Sequence, residues 1–329
     1  MKKGQIAVLV IGIAAFVFGG VGATAGILVV GVDNLRLDET LEAGSKTYEG
    51  SDFASVKKIS IDNVFGDVTI VPSTSGNIRI DYFFSEQSDY TFEIKEGELR
   101  INDTSTYWGN LQAMAEQFWT WPKKAKDVTI TVDIDKAFSL DVGITNGSLN
   151  MLTAFNDLST KSVDVNITNG TANISNQSVA SIGVEVTNGR ENDAVIFKNC
   201  NATSAKAEVT NGKVIFEEEN TFVDFLFDAA NGQIITRAGA LVNCKEFDVD
   251  MVNGDVDLKL NTETDGKYLF DITNGKVTLN LSGTKEDYRV KFSALNGHLI
   301  GDVLGKDNVS GTRDVGIHIL NGNGKVSFF

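Results

Sequence analysis

Apolar and polar residues alternate along most of this chain, and the alternation breaks at one recurring dipeptide. In YLFDITNGKVTLNL, residues 268–281, two alternating apolar runs flank Asn274-Gly275. A period of two marks β-strands. Asn-Gly marks a turn, because both residues tolerate positive φ. The same unit occurs nine times: Asn146-Gly147, Asn169-Gly170, Asn188-Gly189, Asn211-Gly212, Asn231-Gly232, Asn253-Gly254, Asn274-Gly275, Asn296-Gly297 and Asn321-Gly322. Successive spacings are 23, 19, 23, 20, 22, 21, 22 and 25, a mean of about 22. Thr precedes Asn in five copies; Ala230, Val252, Leu295 and Leu320 replace it in the others. Self-similarity at a fixed period is the signature of a repeat architecture.

Two arrangements accommodate the repeat. In a hairpin, Ile272 pairs with Val277 across a two-residue turn. In a β-solenoid, each copy is one rung and Asn-Gly is its corner. Ile272, Asn274, Val277 and Leu279 then face inward, and Lys276, Thr278 and Asn280 face out. Inward asparagines of successive rungs stack and bond amide to amide, while glycine turns the corner. A hairpin has no need of the same residue at the same corner nine times, whereas a stacked rung does. The sequence therefore predicts an all-β fold, a single-stranded β-solenoid with rungs of about 22 residues stacked about 4.8 Å apart. Cys200 and Cys244 belong to corners two rungs apart. That is about 9.6 Å, beyond disulfide reach, so the solenoid predicts free thiols.

The stretch before Asn146 reads as degenerate rungs. Gly66, Val68 and Ile70 hold the repeat's places, as do Gly76, Ile78 and Ile80, and Gly97, Leu99 and Ile101; the pattern resumes at Lys126. The expected division is an N-terminal membrane anchor at 1–32, a polar tether at 33–56 and a strand-repeat body at 57–329. An insertion at 102–126 breaks the pattern. In the first segment 29 uncharged residues run from Gly4 to Val32, with Lys2 and Lys3 before them and Asp33 after. That length spans a bilayer as a helix. The positive-inside rule then puts the N-terminus in the cytoplasm and the body outside, a single-pass arrangement. The alternative is a signal peptide cleaved after ATA, residues 23–25; the body is exported either way.

The composition adds limits. Apolar residues make up 42% of the chain, with 32 glycines and 2 prolines, which suits strands and tight turns. The formal charge of −15 argues against a nucleic-acid partner. No catalytic motif or cofactor-binding pattern is present, and the two cysteines and two histidines lack metal-ligand spacing. Asp248, Asp250, Asp255 and Asp257 gather near one corner as weak calcium candidates, although a solvated acidic face accounts for them as well. The insertion holds all three tryptophans. Leu111, Met114 and Phe118 predict a short helix there, ended by Pro122. Tyr107, Trp108, Phe118, Trp119, Trp121, Lys123 and Lys124 are then either an end-cap over the solenoid core or a contact site for membrane, cell-wall polysaccharide or a membrane protein.

An anchor, then GDVTI at residues 66–70, then repeated TNGxVxL strands resemble the bacterial family described as putative adhesins, the domain of unknown function 4097. The resemblance covers about residue 57 to the end, and its motifs specify architecture rather than chemistry. It implies β-strand repeats, a bacterial envelope protein and no catalytic residue. The expected function is a membrane-anchored surface binding or scaffolding module that is not an enzyme. One alternative is an accessory regulator of an envelope-stress or sensor system. The other is a polysaccharide-active enzyme on a β-helix.

Overall fold

A computed structural model of the protein describes residues 43–49, 53–73, 78–85, 89–104, 128–133, 138–152, 156–301 and 311–329. The anchor at 1–32 and the aromatic residues from Tyr107 to Lys124 lie outside the described residues. Among the described residues no helix is long and apolar enough to cross a membrane. The helical elements there are two 3-10 turns, Phe53–Ser55 and Lys285–Asp287.

The body is an all-β solenoid. Its regular part runs through β8 (Ser139–Asn146), β9 (Leu149–Met151), β10 (Asn156–Gly170), β11 (Ala172–Ser175), β12 (Ser178–Lys198), β13 (Asn201–Glu217), β14 (Glu219–Thr236) and β15 (Leu241–Leu281). Successive rungs pair in parallel, and equivalent corners align: Asn146, Asn169, Asn188, Asn211, Asn231 and Asn253 share one register. Ile272 pairs with Ile319 of another rung, not with Val277, so Asn-Gly is a corner and not a hairpin turn.

Alternation buries one parity of each strand. Val163, Ile182, Ala205, Phe225 and Phe247 form one interior column. The phenylalanines stack along the axis: Phe225 lies 4.9 Å from Phe247, and Phe247 lies 6.1 Å from Phe270. Each buried aromatic ring contributes about 1.5–3 kcal/mol. Because a rung touches only its neighbours, stability accumulates locally along the stack.

The two ends depart from sequence order. β2 (Lys58–Phe65) and β3 (Val68–Ser73) form a rung with its corner at Gly66. That rung lies between the β8–β9 rung on one side and β6 (Glu98–Asp103) with β7 (Val128–Asp133) on the other. The C-terminal end repeats the device. β18 (Arg313–Phe328) inserts between residues 267–281 of β15 and the pair β16 (Tyr288–Asn296) and β17 (Leu299–Gly301). β18 therefore lies inside the stack although it follows β16 and β17 in sequence.

Of the three stretches expected as degenerate rungs, those at Gly66 and Gly97 do stack in parallel, whereas the one at Ile78 and Ile80 is an antiparallel strand, and a further antiparallel strand precedes Gly97. β4 (Arg79–Ser85) pairs antiparallel with β7, and β5 (Tyr90–Lys95) pairs antiparallel with β6. For β5 and β6 the cause is local at Glu96-Gly97. Both residues have positive φ, 53° and 79°, and form a two-residue hairpin turn. The expected tether is also partly folded. Residues 43–49 form β1 (Ala43–Glu49), Phe53 and Val56 are buried, and Tyr48 stacks 4.4 Å from Phe92. These three apolar side chains give the stretch a reason to pack that its polar average conceals.

Candidate binding surface

The corner column is a continuous amide ladder. Asn169 Nδ2 donates to Asn146 Oδ1 at 2.9 Å, Asn188 to Asn169 at 3.0 Å, and Asn211 to Asn188 at 3.0 Å. Asn231, Asn253 and Asn274 continue it at 3.1, 3.0 and 2.9 Å. Asn321 then donates to Asn274 and Asn296 to Asn321, each at 2.7 Å. All nine asparagines join, in spatial and not sequence order.

The ladder runs along the surface, which corrects the inward placement. Ile272 and Val277 are buried, while Asn274 is exposed. The two buried positions are five apart in the sequence, an odd step, so the strict alternation is broken at the bend. The backbone there turns Thr273 through Lys276 away from the core. Glycine is needed for a second reason besides bending. A Cβ on Gly170 would lie 1.7 Å from the Gly147 carbonyl oxygen, and one on Gly275 would lie 1.6 Å from that of Gly254. Gly297 meets Gly322 in the same way. The corners stack backbone against backbone, and only hydrogen fits between them.

After four of the corner glycines the next side chain bonds the backbone of a neighbouring rung. Asp67 Oδ1 accepts the Ser148 backbone N–H at 2.7 Å, and Ser148 Oγ accepts that of Thr171 at 3.2 Å. Asp255 Oδ1 accepts that of Lys276 at 2.9 Å, and Asn323 Oδ1 that of His298 at 3.1 Å. Asp255 is thus a bridge between rungs. The corner separates Asp255 and Asp257 from Asp248 and Asp250, which lie on the preceding straight segment. Among the described residues no three His, Cys, Asp or Glu side chains come together in a metal-binding group.

An acidic row does form, and of the four candidate aspartates it takes in only Asp250. The third residue before the corner asparagine carries an outward side chain in every rung except that of Asn146, where it is Gly143. From Glu185 the row runs through Glu208, Asp228 and Asp250, then Asp271 and His318. Alignment on Asn-Gly, rather than a search for local clusters, would have revealed it. Lys206 pairs with Glu208 near one end. His318 Nδ1 lies 2.7 Å from Asp271 Oδ1 at the other. Asp248 stands one row over. Partial burial, with Asp271, Asp228 and Asp250 nearby, raises the Asp248 pKa. Partial burial likewise raises that of Asp228, with Glu208 and Asp250 adding to the rise against Lys206.

These two groups have folded pKa values above their unfolded ones. Their contribution to stability is present below the ordinary carboxylate pKa and is lost as pH rises through the folded value. Asp248→Asn should therefore stabilise the protein at neutral pH, by about 0.5 kcal/mol after allowance for solvent screening. Melting curves at pH 7 should shift up by about 1–2 °C. The gain should vanish near pH 4, and a gain that persists there would contradict this account. Glu98 has the opposite sign. Hydrogen bonds from Ser60 and Arg100 lower its pKa to about 2, so its contribution is lost in acid.

Both thiols are free and buried, as the solenoid requires. Cys200 Sγ donates to the Ile174 carbonyl at 3.2 Å, and Cys244 Sγ to that of Glu246 at 2.8 Å. Burial pushes the thiols up to about 11 and about 12, which suppresses the reactive thiolate. A second corner lies near Cys200. Asn176 and Asn199 both have positive φ there, and Asn199 Nδ2 donates to Asn176 Oδ1 at 2.9 Å. Behind it, buried Asn220 accepts the Cys200 backbone N–H at 2.9 Å and donates to the Glu217 carbonyl at 2.9 Å.

The sequence profile of the family described as Toastrack DUF4097 matches residues 56–326. The chain belongs to this family. No curated protein sequence matches it. Three solved structures align with the Toastrack chain over most of its length. One, from Bacteroides fragilis and described as a putative adhesin, has 11% identity and a TM-score of 0.41, and covers 88% of this chain and 97% of its own. Another with that description, from Parabacteroides merdae, has 11% identity and a TM-score of 0.44, with coverage of 87% and 96%. The third, from Parabacteroides distasonis, has 11% identity and a TM-score of 0.42, with coverage of 88% and 98%.

Proposed function

We propose that this Toastrack protein is an exported, membrane-anchored binding and scaffolding module of the cell envelope that acts without catalysis. The observation that carries this reading is the exposed surface of the solenoid. The amide ladder and the acidic row beside it repeat a polar group at the strand spacing, about 4.8 Å, along the stack. Such rows suit contact with an extended partner over many weak points. The partner is cell-wall polysaccharide or another membrane protein. The contact site proposed in the insertion is formed by Tyr107, Trp108, Phe118, Trp119, Trp121, Lys123 and Lys124. The uncharged segment from Gly4 to Val32 supports the anchor.

Protease shaving of intact cells that carry a C-terminal epitope tag tests the reading, followed by membrane fractionation. The tag should be lost from intact cells while unshaved full-length protein stays with membranes. A tag that survives because the body is cytoplasmic would overturn it. Shortened protein in the medium would remove the anchor and leave a secreted module.

A further inference from the structure

The geometry points to an oxyanion-binding cleft at the N-terminal end of the solenoid, built from Lys57, Lys58, Lys95 and Arg100 and fitted to a phosphate or carboxylate group. The cleft measures about 410 Å³ and lies between the start of β2 and the β5–β6 hairpin. Lys57 and Lys58 both donate their backbone N–H to the Gly97 carbonyl, at 2.7 and 3.2 Å, so strand and hairpin turn are locked together. Four cations line it against two carboxylates, Glu96 and Glu98, in a chain that carries 29 basic and 44 acidic residues overall.

The carboxylates do not cancel the cations evenly. Glu98 is occupied: it accepts from Ser60 Oγ at 2.6 Å and from Arg100 Nε at 2.8 Å, and lies 3.4 Å from Lys58 Nζ. Lys58 also donates to Asp141 at 2.9 Å. Glu98 thereby holds Arg100 and Lys58 in place as the rigid wall of the site. Lys57 and Lys95 are exposed and make no ion pair among the described residues. They are the two ammonium groups left to meet a ligand. At 0.1 M salt the screening length is about 10 Å, so the distant acidic row does little to oppose an anion here. A single oxyanion held by two lysines in an open cleft binds weakly. Affinity for a polymer would come from repetition of the anionic group. This inference does not depend on the compartment of the body.

Calorimetric titration of the full chain in non-ionic detergent tests it, at about 0.1 M salt, with tripolyphosphate and with tricarballylate as probes. One saturable site with a Kd of about 0.1–1 mM is expected. Lys57→Gln with Lys95→Gln should weaken it at least tenfold without change in the melting curve. Lys213→Gln with Lys276→Gln, at the corner ladder, should leave it unchanged. Preference for tripolyphosphate would assign phosphate as the group bound; preference for tricarballylate would assign carboxylate. Absence of saturable binding to either probe would overturn the inference. So would equal weakening by the two double variants, which would mean attraction to general charge only.

Discussion

Removal of residues 313–329 should release β16 and β17 as well as the strand cut away. β18 buries Val315, Ile317, Ile319 and Val326. At about 1.5–3 kcal/mol each, their loss approaches the whole stability of an ordinary domain. Among the described residues β18 is also the one strand against which β16 and β17 pair. The truncated chain should lose amide-exchange protection over residues 288–301, with partial loss over 267–281. Rungs from β10 to β13 should keep theirs, because stacking is a nearest-neighbour property. If the truncated chain is insoluble, Ile317→Ala serves instead. It should cost about 2–5 kcal/mol and lower protection in β16 more than in β13. Native protection at 288–301 in the truncated chain would mean that the terminal rungs stack in sequence order, contrary to the register seen. The same register implies that β16 and β17 cannot stack until β18 has been synthesised.

Gly275→Ala should be among the most damaging single-methyl additions possible in this chain. Its φ is 158°, and the added carbon would sit 1.6 Å from the Gly254 carbonyl oxygen and 2.7 Å from its carbon. Backbone of one rung meets backbone of the next, so no side-chain rotation relieves the clash. The rungs must separate, and the bond from Asn274 to Asn253 is lost with them. The expected cost exceeds about 3 kcal/mol. Gly239→Ala is the control. Its φ of +85° makes alanine strained, but nothing lies within 4 Å of the added carbon. That substitution should cost about 1–2 kcal/mol. Denaturant melts of both variants decide the matter. Equal costs would show that glycine serves the corner through backbone conformation alone and not through close stacking.

The sequence alone determined the solenoid, because its information is local and repeated. Alternation selects strands, and a corner that must fit the corner below has to repeat its residues, so Asn-Gly at about 22-residue spacing announces the stack. Free thiols at Cys200 and Cys244 follow from the same count. Only the tertiary structure decided which way the asparagines face. The parity change at the bend depends on backbone angles at Thr273 to Lys276 that residue types do not specify. Only the tertiary structure placed β2–β3 and β18 inside the ends, since every rung carries similar edges and any could pair with any other. It also made Glu96-Gly97 a hairpin and Asn274-Gly275 a corner, although both dipeptides allow positive φ. The difference lies in what waits beyond the turn: a returning antiparallel partner for Glu96-Gly97, and the backbone of a neighbouring rung for Asn274-Gly275. The cationic cleft arises for the same reason, because Lys57 and Lys95 are 38 residues apart in the chain and meet only when the hairpin folds back onto β2.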